Sequence, residues 1–294
     1  MPREKIDPHL VARLIEAQFP DWADLPVTSI EPGGWDNRSF RLGDKMVVRL
    51  PSAACYSAQI EKEQRWLPVL ARELPVPVPV PLALGRPGEL FPWHWSVYAW
   101  LEGETAARRR PVGSLRFARS LAAFLAALQR IDSSAGPAPG DHNFHRGAPL
   151  EHYDRETRDA IARLGRSIDA RGATGVWEAA LGSRWRRPPV WVHGDISAEN
   201  LLVAGGELGA VIDFGCCGVG DPACDLVMAW TFFGPQERAA FRAALPLDSG
   251  TWTRGRGWAL WKALISLAAA TGSAQGDPAR FTLAQALDDH DVQA

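Results

Sequence analysis

The chain has 294 residues, 46% of them hydrophobic, and a formal net charge of -2. That is enough for a large core or two lobes, and it gives no electrostatic case for nucleic acid as the main partner. The longest apolar stretch, Trp258 to Ala270, is broken by Lys262 and Ser266 and is too short to span a bilayer, and no signal-like apolar run opens the chain, so a cytoplasmic protein with no membrane partner is expected.

Leu10, Leu14, Ile15 and Ala17 give residues 7–19 the spacing of a short amphipathic helix. Residues 30–50 read as a hairpin: Ser39–Leu42 is one strand, Gly43-Asp44-Lys45 the turn and Met46–Leu50 the next strand. A glycine-bearing turn, Glu31 to Asn37, precedes it. Helical pattern returns at 58–74, and the Val-Pro repeat of Pro75 to Pro81 should run extended over the surface, because each proline lacks a backbone donor. Trp95 to Leu101 is a further strand, closed by Glu102-Gly103-Glu104.

Beyond Gly103 the pattern turns helical. Residues 115–131 form an Ala/Leu-rich helix, 132–149 a loop, and 153–170 and 174–185 two more helices. Three short strands follow at 190–192, 201–203 and 210–212, then helices near 222–232, 235–244, 255–271 and 278–288. The expected fold class is α+β, with an N-terminal antiparallel sheet carrying one helix (1–101) and a larger, mainly helical C-terminal lobe (102–294). Of the 13 tryptophans most are expected in the core, with one or two left to line a cleft. The short basic groups at Arg108–Arg110 and Arg184–Arg187 are read as solvated. Cys55, Cys216, Cys217 and Cys224 lack metal-ligand or Cys-x-x-Cys spacing and are read as reduced and structural.

The chemistry-bearing segment is His193-Gly194-Asp195-Ile196-Ser197-Ala198-Glu199-Asn200, followed by Ile212-Asp213-Phe214-Gly215. An Asp, an Asn five positions on and a second Asp thirteen positions beyond that are the oxygen donors phosphoryl transfer requires: one carboxylate for the attacking hydroxyl, an amide and a carboxylate for magnesium. Together with Asp221-Pro222-Ala223-Cys224-Asp225-Leu226, these segments resemble the aminoglycoside phosphotransferase family, a small-molecule branch of the protein-kinase-like fold, over about residues 25–290.

The resemblance implies a bilobal kinase-like fold and transfer of the γ-phosphate of ATP or GTP to a hydroxyl of a small molecule, with Mg2+. It makes Asp195 the catalytic carboxylate, Asn200 and Asp213 the metal ligands, and Asp225 a structural support of the catalytic loop. On the nucleotide side it points to Gly33 and Gly34 for close approach to phosphate, to Arg49 where kinases usually carry Lys, and to Glu63 as its partner, with Glu61 the competing partner. It also aligns Tyr98–Leu101 with the hinge, where main-chain groups of Ala99 and Leu101 would bond the purine and Tyr98 or Trp100 shape the pocket.

An aminoglycoside is the first acceptor to expect. Macrolides, or metabolites such as choline, homoserine or a thiosugar, are alternatives. A polycationic acceptor should meet carboxylates, and Glu151, Asp154, Glu156, Asp159, Asp288, Asp289 and Asp291 are the candidates. Gly194 stands where protein kinases usually carry Arg, and no Ala-Pro-Glu follows Asp213, which argues against a regulated protein kinase. A non-catalytic nucleotide-binding module is the rival from another class, supported by Arg49 and the plain glycine turn. The sequence leaves the oligomeric state open.

Overall fold

The computed structural model describes residues 5–30, 36–270 and 278–289. Asp7 caps helix α1 (Pro8–Gln18) by accepting from Leu10 N at 2.8 Å. Five antiparallel strands follow, β1 (Val27–Ser29), β2 (Asn37–Leu42), β3 (Met46–Pro51), β4 (Pro81–Gly85) and β5 (Trp95–Ala99), in the order β1-β2-β3-β5-β4. The β2–β3 turn falls on Gly43, whose φ of +55° suits glycine.

Alternation along the strands splits the sheet into two faces. Val48, Leu50 and Val97 pack with Val11, Leu14 and Ile15 of α1. Tyr98 packs on the other side with Leu67 and Leu70 of helix α2 (Ser57–Leu70), in a core that continues into the helical part through Phe117, Trp191 and Phe214. Arg49 has the same parity as Val47, which joins this second core, so it points to α2 and the cleft.

The rest of the chain holds helices α3 (Ser114–Arg130), α4 (Asp154–Leu164), α5 (Ala170–Leu181), α6 (Met228–Thr231), α7 (Pro235–Ala244), α8 (Ser249–Ala269) and α9 (Pro278–Asp288). Two small sheets sit among them, β6 (Glu104–Thr105) with β8 (Leu201–Ala204) and β9 (Glu207–Val211), and β7 (Val190–Val192) with β10 (Gly218–Gly220). The α+β class and the sheet-then-helices arrangement agree with expectation. Trp177, Trp258, Leu260 and Leu264 make a second helical core around α5 and α8. Among the described residues no helix is long and apolar enough to cross a membrane.

Several boundaries differ from expectation for identifiable reasons. The helix expected at 153–170 stops at Leu164, because Gly165 takes φ +50° and reverses the chain. The stretch 222–232 begins as a 3-10 turn, Pro222–Leu226, and only its last residues are α-helical. Helix α8 starts earlier than expected, at Ser249, because Asp248 caps Thr251 N at 2.9 Å. The Val-Pro run is extended but not wholly superficial. Val78 is buried and Pro77 O accepts from Val211 N at 3.1 Å, which ties this connector to β9.

Helix α8 is anchored by a buried ion pair. Arg254 Nε and Nη2 donate to the two Asp221 oxygens at 2.5 and 3.2 Å, and Arg254 also reaches Ser183 and Thr251. Removing one partner strands a buried charge. Asp221→Ala is expected to cost about 3–5 kcal/mol in urea unfolding, and the paired replacement Asp221→Leu with Arg254→Met should recover much of that loss.

Candidate active site

The loop between β7 and β8 is fixed by its backbone. The buried Asp225 carboxylate accepts from His193 N at 2.8 Å and Gly194 N at 2.7 Å. Burial pushes its carboxyl upward, and His193 and the two N–H groups work against that. His193 accepts from Asp195 N at Nδ1 (3.2 Å), and its Nε2 lies 3.0 Å from Ile212 O, a pattern that makes Nε2 the protonated nitrogen and the ring a brace between the two segments. Gly194 sits at φ +82°, and a Cβ there would lie 2.3 Å from Cys216 O, so neither arginine nor alanine fits.

This bracing brings the expected oxygen donors together. Asn200 Nδ2 donates to Asp195 O (2.9 Å) and Oδ2 (3.0 Å), which leaves the amide oxygen as an acceptor. Asp213, held at φ +65°, accepts from Arg49 Nη2 at 2.8 Å. Arg49 Nη1 reaches the two Glu63 oxygens at 3.2 and 3.4 Å. Of the two expected partners it is thus Glu63 that pairs with Arg49, and Glu61 pairs instead with His94 at 2.7 Å. The Arg49–Glu63 pair is buried rather than a solvated surface contact, with side chains 10% and 1% exposed. Burial disfavours the Arg49 charge, but Asp213 and Glu63 more than offset it and the guanidinium is held above its usual range.

Two side chains that the motifs do not contain complete the site. Lys262 of α8 reaches Asp195 Oδ1 at 2.9 Å. Burial works to raise the Asp195 carboxyl, but the charge and hydrogen bond of Lys262, helped by His193 and Arg146, hold it at about 2. Asp36 comes close from the start of β2. Its carboxyl is raised by burial and by the negative charges of Asp213 and Asp195, a crowding that a divalent cation would relieve. The remaining Asp213 oxygen and the Asn200 amide oxygen are hard donors of the kind such a cation takes. Among the described residues no three His, Cys, Asp or Glu side chains form a metal cage by themselves.

The adenine side is only partly as expected. Ala99 N–H donates to Val80 O at 3.0 Å, so of its main-chain groups only the carbonyl remains for a purine. Trp100 N–H donates to Lys45 O at 2.8 Å, and the Trp100 ring lies 3.6 Å under the Arg41 guanidinium. Leu101, directly after, is partly buried. Gly33 and Gly34 lie outside the described residues, as does Asp291.

Five of the carboxylates expected to meet a polycation have partners within the chain, some of them in solvent-exposed pairs. Glu151 pairs with Arg184, Asp154 with Arg158 and Trp177, Glu156 with Trp261, Asp159 with Arg155 and Asp289 with Trp230 and Arg238. Asp288 is exposed at the end of α9. The buried thiols of Cys216, Cys217 and Cys224 are all pushed up by burial and stay protonated, and the four cysteines are unbridged.

The model of the phosphotransferase enzyme family matches residues 28–261. No curated protein matches the sequence. Among solved structures, the GDP complex of wild-type aminoglycoside 2'-phosphotransferase-IIIa is 19% identical, with a TM-score of 0.70 over 95% of this chain and 97% of that one. The apoenzyme of a macrolide 2'-phosphotransferase from Brachybacterium faecium is 23% identical, with a TM-score of 0.62 over 95% and 98%. At these identities the likeness shows the shared kinase-like fold.

The Lys262–Asp195 pair has a testable pH signature. Asp195 at about 2 lies below its ordinary 3.8, so its stabilising contribution is complete above pH 3.8 and is lost as pH falls through about 2. Without Lys262 the main force holding the carboxyl down is gone and it moves back up, so the parent's gain of stability with rising pH is lost. The melting-temperature deficit of Lys262→Met relative to the parent should therefore be small near pH ~3 and grow toward pH ~6. A deficit independent of pH would show that the pair does not set the Asp195 titration.

Proposed function

The chain belongs to the phosphotransferase enzyme family, and from that premise we propose that it transfers the γ-phosphate of ATP or GTP to a hydroxyl of a small molecule, with Mg2+ at Asn200 and Asp213. The observation that carries this reading is the convergence of Asp195, Asn200 and Asp213 on one cleft beside Arg49. Asp195 accepts the hydrogen bond of the acceptor hydroxyl and holds its oxygen in line with the γ-phosphorus. The bond from that phosphorus to the β–γ bridging oxygen breaks, a bond to the acceptor oxygen forms, and the hydroxyl proton leaves by way of Asp195 to solvent. A carboxylate held at about 2 is a weak base, so Asp195 contributes orientation more than proton affinity, which suits a reaction governed by positioning and charge.

Arg49 holds the triphosphate, with Glu63 fixing its fork from behind. The Ala99 carbonyl and Leu101 main chain take the purine edge, Trp100 borders it, and Gly33 and Gly34 approach the phosphates. The bound cation would offset the negative charge of phosphate against Asp195, Asp213 and Asp36. In this reading residues 1–101 carry the nucleotide and 102–294 the acceptor. A cytoplasmic location, where nucleoside triphosphate is available, goes with it.

Solved relatives of the same fold include complexes of aminoglycoside phosphotransferases with GDP and kanamycin and with streptomycin and ATP. An aminoglycoside-type antibiotic is therefore the first acceptor to try and antibiotic resistance the corresponding role, with macrolides and hydroxylated metabolites next. The experiment is nucleotide turnover by the purified chain over such a panel, with and without magnesium. Asp195→Asn is expected to lower kcat by roughly 10²-fold or more while leaving nucleotide affinity close to the parent's. Magnesium-dependent nucleotide binding with no transfer to any acceptor would favour a non-catalytic module instead, and an unchanged kcat in Asp195→Asn would remove Asp195 from its role.

A further inference from the structure

A cavity of about 400 Å³ opens on the acceptor side of the catalytic loop, walled by Phe144, Arg146, Tyr153 and Trp261 among others. Its relation to the catalytic loop is fixed at two points. A Cβ built on Gly194 would lie 3.0 Å from Arg146 Cβ, and Trp261 immediately precedes Lys262, whose ammonium is 2.9 Å from Asp195. A molecule whose hydroxyl reaches Asp195 can extend its remaining groups toward this cavity.

The charge of that cavity is uneven. Arg146 is half-buried, lies over the rings of Trp261 (4.7 Å) and Trp258 (5.3 Å), and has no hydrogen-bond partner for its buried Nε and Nη1 among the described residues. No carboxylate among them pairs with it within 4.0 Å. Arg146 also acts on the Tyr153 hydroxyl and helps depress the Asp195 carboxyl, yet it lines the cavity with no described carboxylate ion-paired to it, so it is the cation of this wall open to an anion that enters. The one carboxylate of the wall, Glu156, already accepts from Trp261 Nε1 at 2.8 Å. His152 is held toward its neutral form by burial and by His145, which stacks on it at 3.8 Å.

We propose that this cavity is the acceptor subsite and that it takes a hydroxyl compound bearing a carboxylate on an apolar or aromatic body, with Arg146 pairing the carboxylate, in place of the polycationic aminoglycoside that likeness to solved relatives puts first. Phe144, Tyr153 and Trp261 supply the apolar wall, and Arg146 is its cation, since the charge of Lys262 is matched by Asp195. The assignment rests on the reading of Asp195 as the residue that positions the acceptor hydroxyl, and it narrows that reading to a substrate class.

The test uses the full chain and three compounds of one shape: 4-(hydroxymethyl)benzoate, its amide, and 4-(aminomethyl)benzyl alcohol. Binding is read from tryptophan fluorescence and calorimetry, and transfer from phosphorylated product. The carboxylate should bind about 10-fold more tightly than the amide or the amine. Arg146→Met should abolish that preference, and Arg146→Lys, which keeps the charge, should retain part of it and guard against a folding artefact. The preference should persist in Asp195→Asn, where transfer is lost, and in the presence of saturating nucleotide.

Equal binding of the three compounds, or preference for the amine, overturns the proposal, as does a carboxylate preference that survives Arg146→Met. Competition between the carboxylate and nucleotide overturns it too, by assigning Arg146 to phosphate. An Arg146-dependent preference without phosphorylation of any acceptor would leave the anion subsite standing and defeat the kinase reading. Phosphorylation of amines in preference to carboxylates would do the reverse.

Discussion

Excess negative charge in a confined cleft is the condition that organises this molecule. Asp36, Glu63, Asp195 and Asp213 approach one another from four separate segments, and Asp225 lies buried behind them. Such carboxylates repel strongly where water is scarce, and each is tolerable only with a cation or several donors. Two long cationic side chains do this work from opposite sides. Arg49 forks between Glu63 and Asp213, and Lys262 reaches down from α8 to Asp195. The fork explains why arginine can stand where kinases usually have lysine: one planar guanidinium bridges two carboxylates through different nitrogens, whereas an ammonium is a single point of charge. A triphosphate entering this cleft adds more negative charge, so the same pairs that stabilise the unliganded chain must be remade around it.

The parts of the site that sequence made legible are those whose geometry is local. Asp195 and Asn200 share one loop, so their spacing is enough to place an amide beside a carboxylate. Asp213 and Gly215 share one turn, in which the Asp side chain accepts from the Gly215 N–H at 3.4 Å. Glu63 could be preferred to Glu61 because two helical positions differ by more than half a turn of direction. Lys262 was hidden for the opposite reason. It interrupts the apolar run Trp258 to Ala270 and reads as a breaker of hydrophobicity, while its meaning lies in a contact 67 residues away. A cation inside the apolar stretch Trp258 to Ala270 is the signal that could have found it, since such a charge needs a partner. Arg146 lay in a stretch read only as loop. Strand β10, Gly-Val-Gly, has little side-chain pattern and exists through its pairing with β7. The bonding of Ala99 N–H to Val80 depends on where the proline-rich connector runs, which is a tertiary fact.

The way Arg146 is held bears on how the cavity acquired its character. Tyr153, Trp258 and Trp261 pack on one another with ring centroids 4.6 to 5.5 Å apart, within the same core that fixes α5 and α8. That wall cannot change without disturbing helix packing. The opposite wall is a loop, and it is costly by a different measure. Phe144 and His145, two successive non-glycine residues, sit at φ 52° and 57° immediately before Arg146. Such positions cost of order 1–3 kcal/mol each and persist where the surroundings over-determine them. Here the surroundings do: Asn143 is buried and its side chain holds both Gly140 N (3.0 Å) and Arg146 O (3.1 Å), while the Tyr153 hydroxyl donates to Phe144 O. The loop thus gives up stability to aim one guanidinium at the aromatic wall beside Asp195. An apolar side chain on a relaxed backbone could fill the same space at lower cost but could neither help hold the Asp195 carboxyl down, as Arg146 does, nor meet the charge of a bound anion.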